Sequence, residues 1–273
     1  MVIMYGNKGS RMHALANKIN IPITEQHKIT PEMIPDSNDP IVMFSVCPQK
    51  MALIQECRRV GRPFYTFDTA YIGNMTGPFQ RGGYRGFKKW YRLVPNGLQH
   101  TELPEYDSDD RLQRIGFKSV SFNRGKKILV PLPGPMACEY YSIDINNIEE
   151  KITAEIRQHT DREIVFRAKS SKGVRDRMLD NPFWKRLSEG DIHCTVTWGS
   201  VASLESVCCG IPSIALRECI ASPVCSSSLS DIENPFMPND CQTQRWLRSI
   251  SKVCVTQREV LRQIKSLHET NWN

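Results

Sequence analysis

The sequence has no apolar run long enough to span a bilayer, no paired C-x-x-C, and no His/Cys set at metal-ligand spacing. A membrane-crossing helix needs about 20 predominantly apolar residues, so none is expected. Met1-Val2-Ile3-Met4 is too short for a signal-peptide core. Without paired cysteines a zinc ribbon and a disulfide framework are both set aside. The ten cysteines are scattered, with Cys208-Cys209 at a predicted helix end and Cys47 and Cys57 around another. They read as free, mostly buried thiols of a cytoplasmic chain. No D-x-D follows a β-rich run; the nearest, Asp107-Ser-Asp109, lies in a hydrophilic stretch. The expectation is chemistry without a metal ligand set and without a resident cofactor. A net charge of +7 over 273 residues permits a polyanionic partner without requiring one.

What is present is concentrated between Asp191 and Leu216, DIHCTVTWGSVASLESVCCGIPSIAL. His193 to Thr197 is β-rich, Gly199-Ser200 breaks it, Ser200 to Cys209 reads as a helix, and Gly210-Ile211-Pro212 stops that helix before a second apolar run. This is one parallel βαβ step. Gly199 lets a backbone come close, Ser200 can cap the helix, and the first-turn amides form an anion site. The plain alternative is a turn that only starts a helix. Glu205, about a turn and a half further on, is too far along for a phosphate but suits two sugar hydroxyls. His193 is either a ligand contact or a packed histidine.

Earlier in the chain, Val2 to Tyr5 predicts a strand, followed by Gly6-Asn7-Lys8-Gly9-Ser10 and a helix from about Arg11 to Ile19. Gly6-x-x-Gly9 falls short of the full dinucleotide fingerprint, and a tight turn explains it equally well. Ile41 to Val46 predicts a buried strand and Lys50 to Val60 an amphipathic helix stopped by Gly61 and Pro63. Phe64 to Phe67 follows as a strand and delivers Asp68 to its carboxyl end. In open parallel α/β sheets that end faces ligands; a turn aspartate is the competing reading. Between Pro78 and Leu98, Arg81, Arg85, Lys88, Lys89 and Arg92 interleave with Tyr84, Phe87, Trp90 and Tyr91. Cations for phosphates and rings for extruded bases suit a nucleic acid. An ordinary edge strand over Lys88 to Val94 would also explain the pattern.

After the hydrophilic stretch Gln99 to Ser119, Ile128 to Leu132 predicts a strand, with Pro133-Gly134-Pro135 as a turn able to touch a ligand. Ile148, Ile152 and Ile156 place one apolar face on a helix from Asn147 to His159. Ile164 to Phe166 is a strand, and Arg167 and Lys169 come directly off it. Gln244 to Ile250 and Thr256 to Leu267 predict basic helices.

Several of these pieces together resemble the small phage-encoded glycosyltransferases associated with DNA hypermodification. They are Ile128 to Gly134, His159 to Arg167, Val196 to Glu205, Gly210-Ile-Pro212, Ala221-Ser-Pro223 and Ile232 to Pro235. The resemblance implies an α/β fold of two Rossmann-like domains facing a cleft, GT-B-like. It places an acceptor domain over residues 1–122, a donor domain over 123–250 and a C-terminal helix over 251–273. It implies a nucleotide-sugar co-substrate, a UDP-sugar first among candidates, held by Gly134, Arg167, Lys169, His193, Gly199, Ser200, Ser203 and Glu205. The two cations would neutralise the departing diphosphate, and Asp68 would take the acceptor proton. It further implies double-stranded DNA with a 5-hydroxymethylated pyrimidine as acceptor, contacted by Arg81, Tyr84, Arg85, Lys88, Lys89, Trp90 and Arg92. The protein would then act in the cytoplasm as a monomer or weak oligomer, with no membrane partner. A surface glycan, lipid or small molecule is the alternative acceptor, and a non-catalytic binding module the alternative class.

Overall fold

A computed structural model describes residues 3–6, 17–18, 23–25, 39–44, 48–73, 77–79, 90–167 and 183–270. They fall into two compact units. The first is drawn from Met1–Tyr71, Lys88–His100 and Val253–Asn273, the second from Ile72–Phe87 and Thr101–Lys252. The stretch after Thr101 therefore belongs with the second unit: Val120 and Phe122 donate their N–H groups to Cys208 and Cys209 carbonyls at 2.8 and 2.9 Å, and Phe117 stacks on Phe79.

The first unit is a six-stranded sheet. Its strands are β1 (Ile3–Gly6), β2 (Ile23–Glu25), β3 (Ile41–Phe44), β4 (Phe64–Thr69), β5 (Trp90–Pro95) and β10 (Val255–Thr256). The order is β10-β5-β4-β3-β1-β2. The four strands from β2 to β4 are mutually parallel, whereas β5 runs antiparallel to β4 and β10 antiparallel to β5. Helix α1 (Pro48–Arg59) makes the crossover from β3 to β4. Arg62 N–H closes on Cys57 O at 2.8 Å and Gly61 N–H on Arg58 O, which ends α1 where Gly61 and Pro63 predict its stop. The predicted helix from about Arg11 lies largely outside the described residues.

Period-two alternation sorts the faces of this sheet. Met4, Val42, Phe67 and Tyr91 share one face, covered by Val260 and Ile264 of the C-terminal helix α8 (Gln257–Thr270). That helix begins with a reciprocal cap. Glu259 accepts from the N–H and hydroxyl of Thr256 at 2.7 and 2.8 Å, while Thr256 Oγ1 accepts from Glu259 N–H. The other face of β4 and β5 carries Thr66, Asp68, Arg92 and Val94.

The second unit is an all-parallel four-stranded sheet in the order β7-β6-β8-β9. These strands are β6 (Lys127–Pro131), β7 (Ile164–Arg167), β8 (Ile192–Thr197) and β9 (Ser213–Ala215). Every residue of β8 is buried, as expected of a central parallel strand covered on both faces. The helices, in chain order, are α2 (Asp110–Ile115), α3 (Pro135–Tyr140), α4 (Ile148–Ile156), α5 (Phe183–Leu187), α6 (Val201–Cys208) and α7 (Asp240–Val253). Ile152 and Ile156 of α4 pack with Ile128, Val130, Val196 and Ile214, and Ile148 joins at the edge. Gly210 ends α6 at φ +74°, with Ile211 N–H on Ser206 O at 3.0 Å, and turns the chain directly into β9. The described cysteines are free, and most are buried. No helix among the described residues is long and apolar enough to cross a membrane.

Candidate functional site

From β6 the chain moves to β7 on one side, whereas β8 pairs with β6 on the other. The loops leaving β6 and β8 therefore diverge at a topological switch point, where an open parallel sheet has its crevice beyond the carboxyl ends. Gly134 leaves β6 there as the N-cap of α3 in an extended conformation. Gly199 and Ser200 leave β8 at the same edge. Arg167, last residue of β7, registers with Pro131 of β6, and its carbonyl accepts Leu132 N–H at 3.0 Å. One edge of one sheet thus gathers Gly134, Arg167, Gly199, Ser200 and, on α6, Glu205.

Ser200 caps α6: its Oγ accepts the N–H of Ala202 at 3.2 Å, a contact worth about 1 kcal/mol. The hydroxyl proton is left to donate elsewhere. Glu205 and Arg167 feel each other's charge, and each is opposed by burial. Burial pushes the Glu205 carboxyl up to about 7 while the Arg167 guanidinium pulls it back. Burial lowers Arg167 from its ordinary value while Glu205 supports it. The Arg167 guanidinium also sits 5.4 Å from the ring centroid of Phe183, which gives the cation a flat apolar seat. A carboxyl near neutrality beside a half-buried arginine can accept or donate to ligand hydroxyls while the arginine meets an anion.

The remaining predicted donor contacts are placed differently. Ser203 is fully buried, and its Oγ lies 2.5 Å from Thr197 Oγ1, so it stitches α6 to β8 rather than reaching a ligand. Thr195 does the same one turn on, 2.9 Å from both Ser206 and Ser213 hydroxyls. His193 is the second residue of β8 and so lies at the amino edge of the sheet, opposite the switch point. It is a packed histidine: Nε2–H donates to Ile232 O at 3.0 Å, and burial lowers its pKa. The space that Gly199 frees is filled by this chain. A Cβ there would stand 2.3 Å from the Tyr141 hydroxyl, which donates to Gly199 O at 3.5 Å. Tyr141, in edge-to-face contact with Tyr140, is therefore a wall of the site that sequence reasoning missed. Its only signal in the sequence is the adjacent pair Tyr140-Tyr141 following the Gly134 turn. Lys169 lies outside the described residues.

In the first unit, Asp68 is the penultimate residue of β4 rather than a loop residue. Its Oδ1 accepts Thr69 N–H at 2.7 Å, and its Oδ2 lies 3.3 Å from Arg92 Nη2. Arg92 in turn covers the Tyr71 ring at 4.3 Å. The Tyr71 hydroxyl accepts His100 N–H at 2.7 Å and lies 3.1 Å from its Nδ1. Burial and the Arg92 charge push His100 down to about 4, so its imidazole is neutral at pH 7. Asp68, Arg92, Tyr71 and His100 form one polar chain beside the carboxyl end of β4.

Two of the expected nucleic-acid contacts have buried side chains. Trp90 and Arg92 lie in β5 at 6% and 9% relative exposure, and the Arg92 side chain is taken up by Asp68 and the Tyr71 ring. Neither side chain is presented to a nucleic acid. Arg81, Tyr84, Arg85, Lys88 and Lys89 lie outside the described residues. Also among the described residues, no three His, Cys, Asp or Glu side chains come together as a metal set.

Strand order and crossover pattern define the class: a protein of two Rossmann-like α/β units, with its candidate site at the switch point of the second. No family model and no curated protein matches the chain. Among solved structures it is similar to Thermosulfurimonas dismutans KpsC, beta Kdo 2,7 transferase. That match has 8% identity and a TM-score of 0.49, and covers 98% of this chain and 99% of the other. It is also similar to Thermosulfurimonas dismutans KpsC, beta Kdo 2,4 transferase, at 11% identity and TM-score 0.47 over 97% of each chain. The class rests on the strand order rather than on these two likenesses.

Proposed function

We propose that the chain is a GT-B-type glycosyltransferase that moves a sugar from a nucleoside-diphosphate sugar to an acceptor hydroxyl. The observation that supports this most is the convergence of Arg167, Ser200 and Glu205 on the switch-point edge of the second sheet. Such a donor carries a diphosphate, a ribose and a glycosyl group. The α6 N-terminal amides and the Ser200 hydroxyl suit the diphosphate, and Arg167 opposes the charge that grows as the glycosyl bond breaks. Glu205 suits a pair of ribose hydroxyls. The bond from the anomeric carbon to diphosphate oxygen breaks, the acceptor oxygen takes its place, and the acceptor proton goes to a carboxylate. Asp68 is the proposed base, with Arg92 Nη2 3.3 Å from its Oδ2.

The proposed acceptor is a glycan, lipid or small-molecule hydroxyl. A hydroxymethylated pyrimidine in DNA, the finer reading, loses support from the burial of Trp90 and Arg92 and rests on Arg81, Tyr84, Arg85, Lys88 and Lys89. The test is incubation of the purified chain with radiolabelled nucleotide sugars. Each is offered alone, with hydroxylated glycans, and with duplex DNA carrying 5-hydroxymethylcytosine or 5-hydroxymethyluracil. Label transferred to a glycan and abolished by Arg167→Ala supports the proposal. Label on DNA reinstates the base acceptor. Absence of both nucleotide-sugar binding and hydrolysis refutes the transferase reading.

A further inference from the structure

At the opposite, amino edge of the second sheet lies an open, solvent-facing pocket of ≈ 440 Å³ lined by Arg124, His193, Glu233, Asn234 and Pro235. That volume is in the range of small-molecule sites. The six residues of β8 separate it from the switch-point edge by roughly 15–20 Å. It is thus a separate place on the fold, and the transferase reading makes no use of it.

Its walls are fixed by the chain's own bonds. Gly125 N–H and Lys127 N–H bind Ile192 O and Asp191 O at 2.9 Å each, which pins Arg124 beside His193. With the His193 Nε2 proton committed to Ile232 O, Nδ1 is an acceptor, and Arg124 Nη2 lies 3.4 Å from it. Arg124 Nε donates to His193 O at 3.3 Å. Glu233 is spent: Oε1 accepts the Thr160 hydroxyl, and Oε2 accepts Arg162 Nε and Nη2 at 3.0 and 2.8 Å. The described lining carries one cation, Arg124, and one carboxylate, Glu233, whose charge Arg162 beside the pocket neutralises. A guanidinium carries five N–H donors, of which His193 takes two, and Asn234 adds an amide. The lining surface is mixed, polar and apolar in similar measure, which suits the hydroxyl edges and C–H faces of a sugar.

We infer that this pocket is a second ligand site, taking a small sugar that bears an oxyanion (a sugar phosphate or sugar acid), with Arg124 and Asn234 as its donors. Arginine forks onto planar or tetrahedral oxyanions, and the amide and carbonyl groups around it meet hydroxyls.

Calorimetric titration of the full chain with glucose 6-phosphate, glucuronate, glucose and inorganic phosphate tests this. At least one of the two sugar anions binds, and glucose and phosphate each bind about tenfold more weakly or worse. Arg124→Gln weakens the sugar anion about tenfold, and Asn234→Ala does so to a smaller extent. Both leave nucleotide-sugar binding in place, which separates this site from the donor site. The inference is overturned if neither sugar anion binds at millimolar concentration, or if Arg124→Gln and Asn234→Ala bind them like the parent. Phosphate binding as tightly as glucose 6-phosphate also overturns it, since the sugar body would then contribute nothing.

Discussion

Gly199→Ala is a compact probe of the candidate site, because the cost has two separable parts. Gly199 has φ +60°, and an L-residue in the left-handed region costs about 1–2 kcal/mol. The new methyl would also stand 2.3, 2.6 and 3.0 Å from Oη, Cζ and Cε2 of Tyr141. The Tyr141 ring, whose hydroxyl donates to Gly199 O at 3.5 Å, must swing. Overpacking of this kind costs about 1–3 kcal/mol, and the narrower unfolded ensemble of alanine adds back about 0.4–1 kcal/mol against glycine. The net is destabilisation by about 2–4 kcal/mol, or roughly 5–12 °C in the transition of the second unit. Tyr141→Ala in the same background recovers the steric share and leaves the φ share. Tyr141→Phe recovers less, because Cζ stays at 2.6 Å. Urea unfolding of the four-variant cycle reads the coupling directly. A Gly199→Ala chain within about 0.5 kcal/mol of the parent, or strict additivity with Tyr141→Ala, refutes the argument.

Three further outcomes are expected. Glu205 holds its proton up to about 7 in the fold and to 4.5 in the unfolded chain, so its burden on stability grows as pH rises from 4.5 to 7 and is full above. Glu205→Gln therefore stabilises at pH 8 by about 1–3 kcal/mol and not at pH 4, while weakening nucleotide-sugar binding; equal melting of both proteins at pH 8 contradicts this. His100, held near 4 against an ordinary 6.5, makes the unfolded chain bind more protons between those values. Stability of the first unit then falls as pH drops from 6.5 to 4, by at most about 3 kcal/mol, and His100→Gln flattens that slope in pH-dependent melts. Arg92→Met removes the partner of Asp68 and the cover of Tyr71 from a side chain that is 11% exposed. It should cost about 1–3 kcal/mol by urea unfolding, with Arg92→Lys failing to restore it, since an ammonium cannot reproduce the flat stacked fork.

The parts of the candidate site legible beforehand are those with a local code. Ser200 as cap, Gly210-Ile-Pro212 as stop and Arg167 at a strand end follow from turn chemistry and strand period within a few residues. Ser203 and His193 sit away from the switch-point edge for physical reasons. Ser203 is on the inner face of α6, where its hydroxyl finds Thr197, and sequence adjacency to Glu205 says nothing about facing. His193 opens β8 rather than closing it, and only the carboxyl end of a parallel strand meets the crevice. Trp90 and Arg92 carry a composition that suits a nucleic acid, but both side chains are buried, and Arg92 is turned onto Asp68 and Tyr71.

The sequence alone determined the alternation of strands and helices, because apolar period, glycine and proline punctuation and capping residues act over one or two turns of chain, while the division into two α/β units came from the resemblance. It likewise determined that the described cysteines are unpaired thiols, from the lack of spacing. Only the tertiary structure decided that Tyr141 fills the room beside Gly199, 58 residues away, and that Arg92 holds Asp68 across 24. Only it set Arg124 against His193, 69 residues on, at the far edge of the sheet. Such pairings depend on strand order and on which end of a strand a side chain occupies, and neither is written in local periodicity.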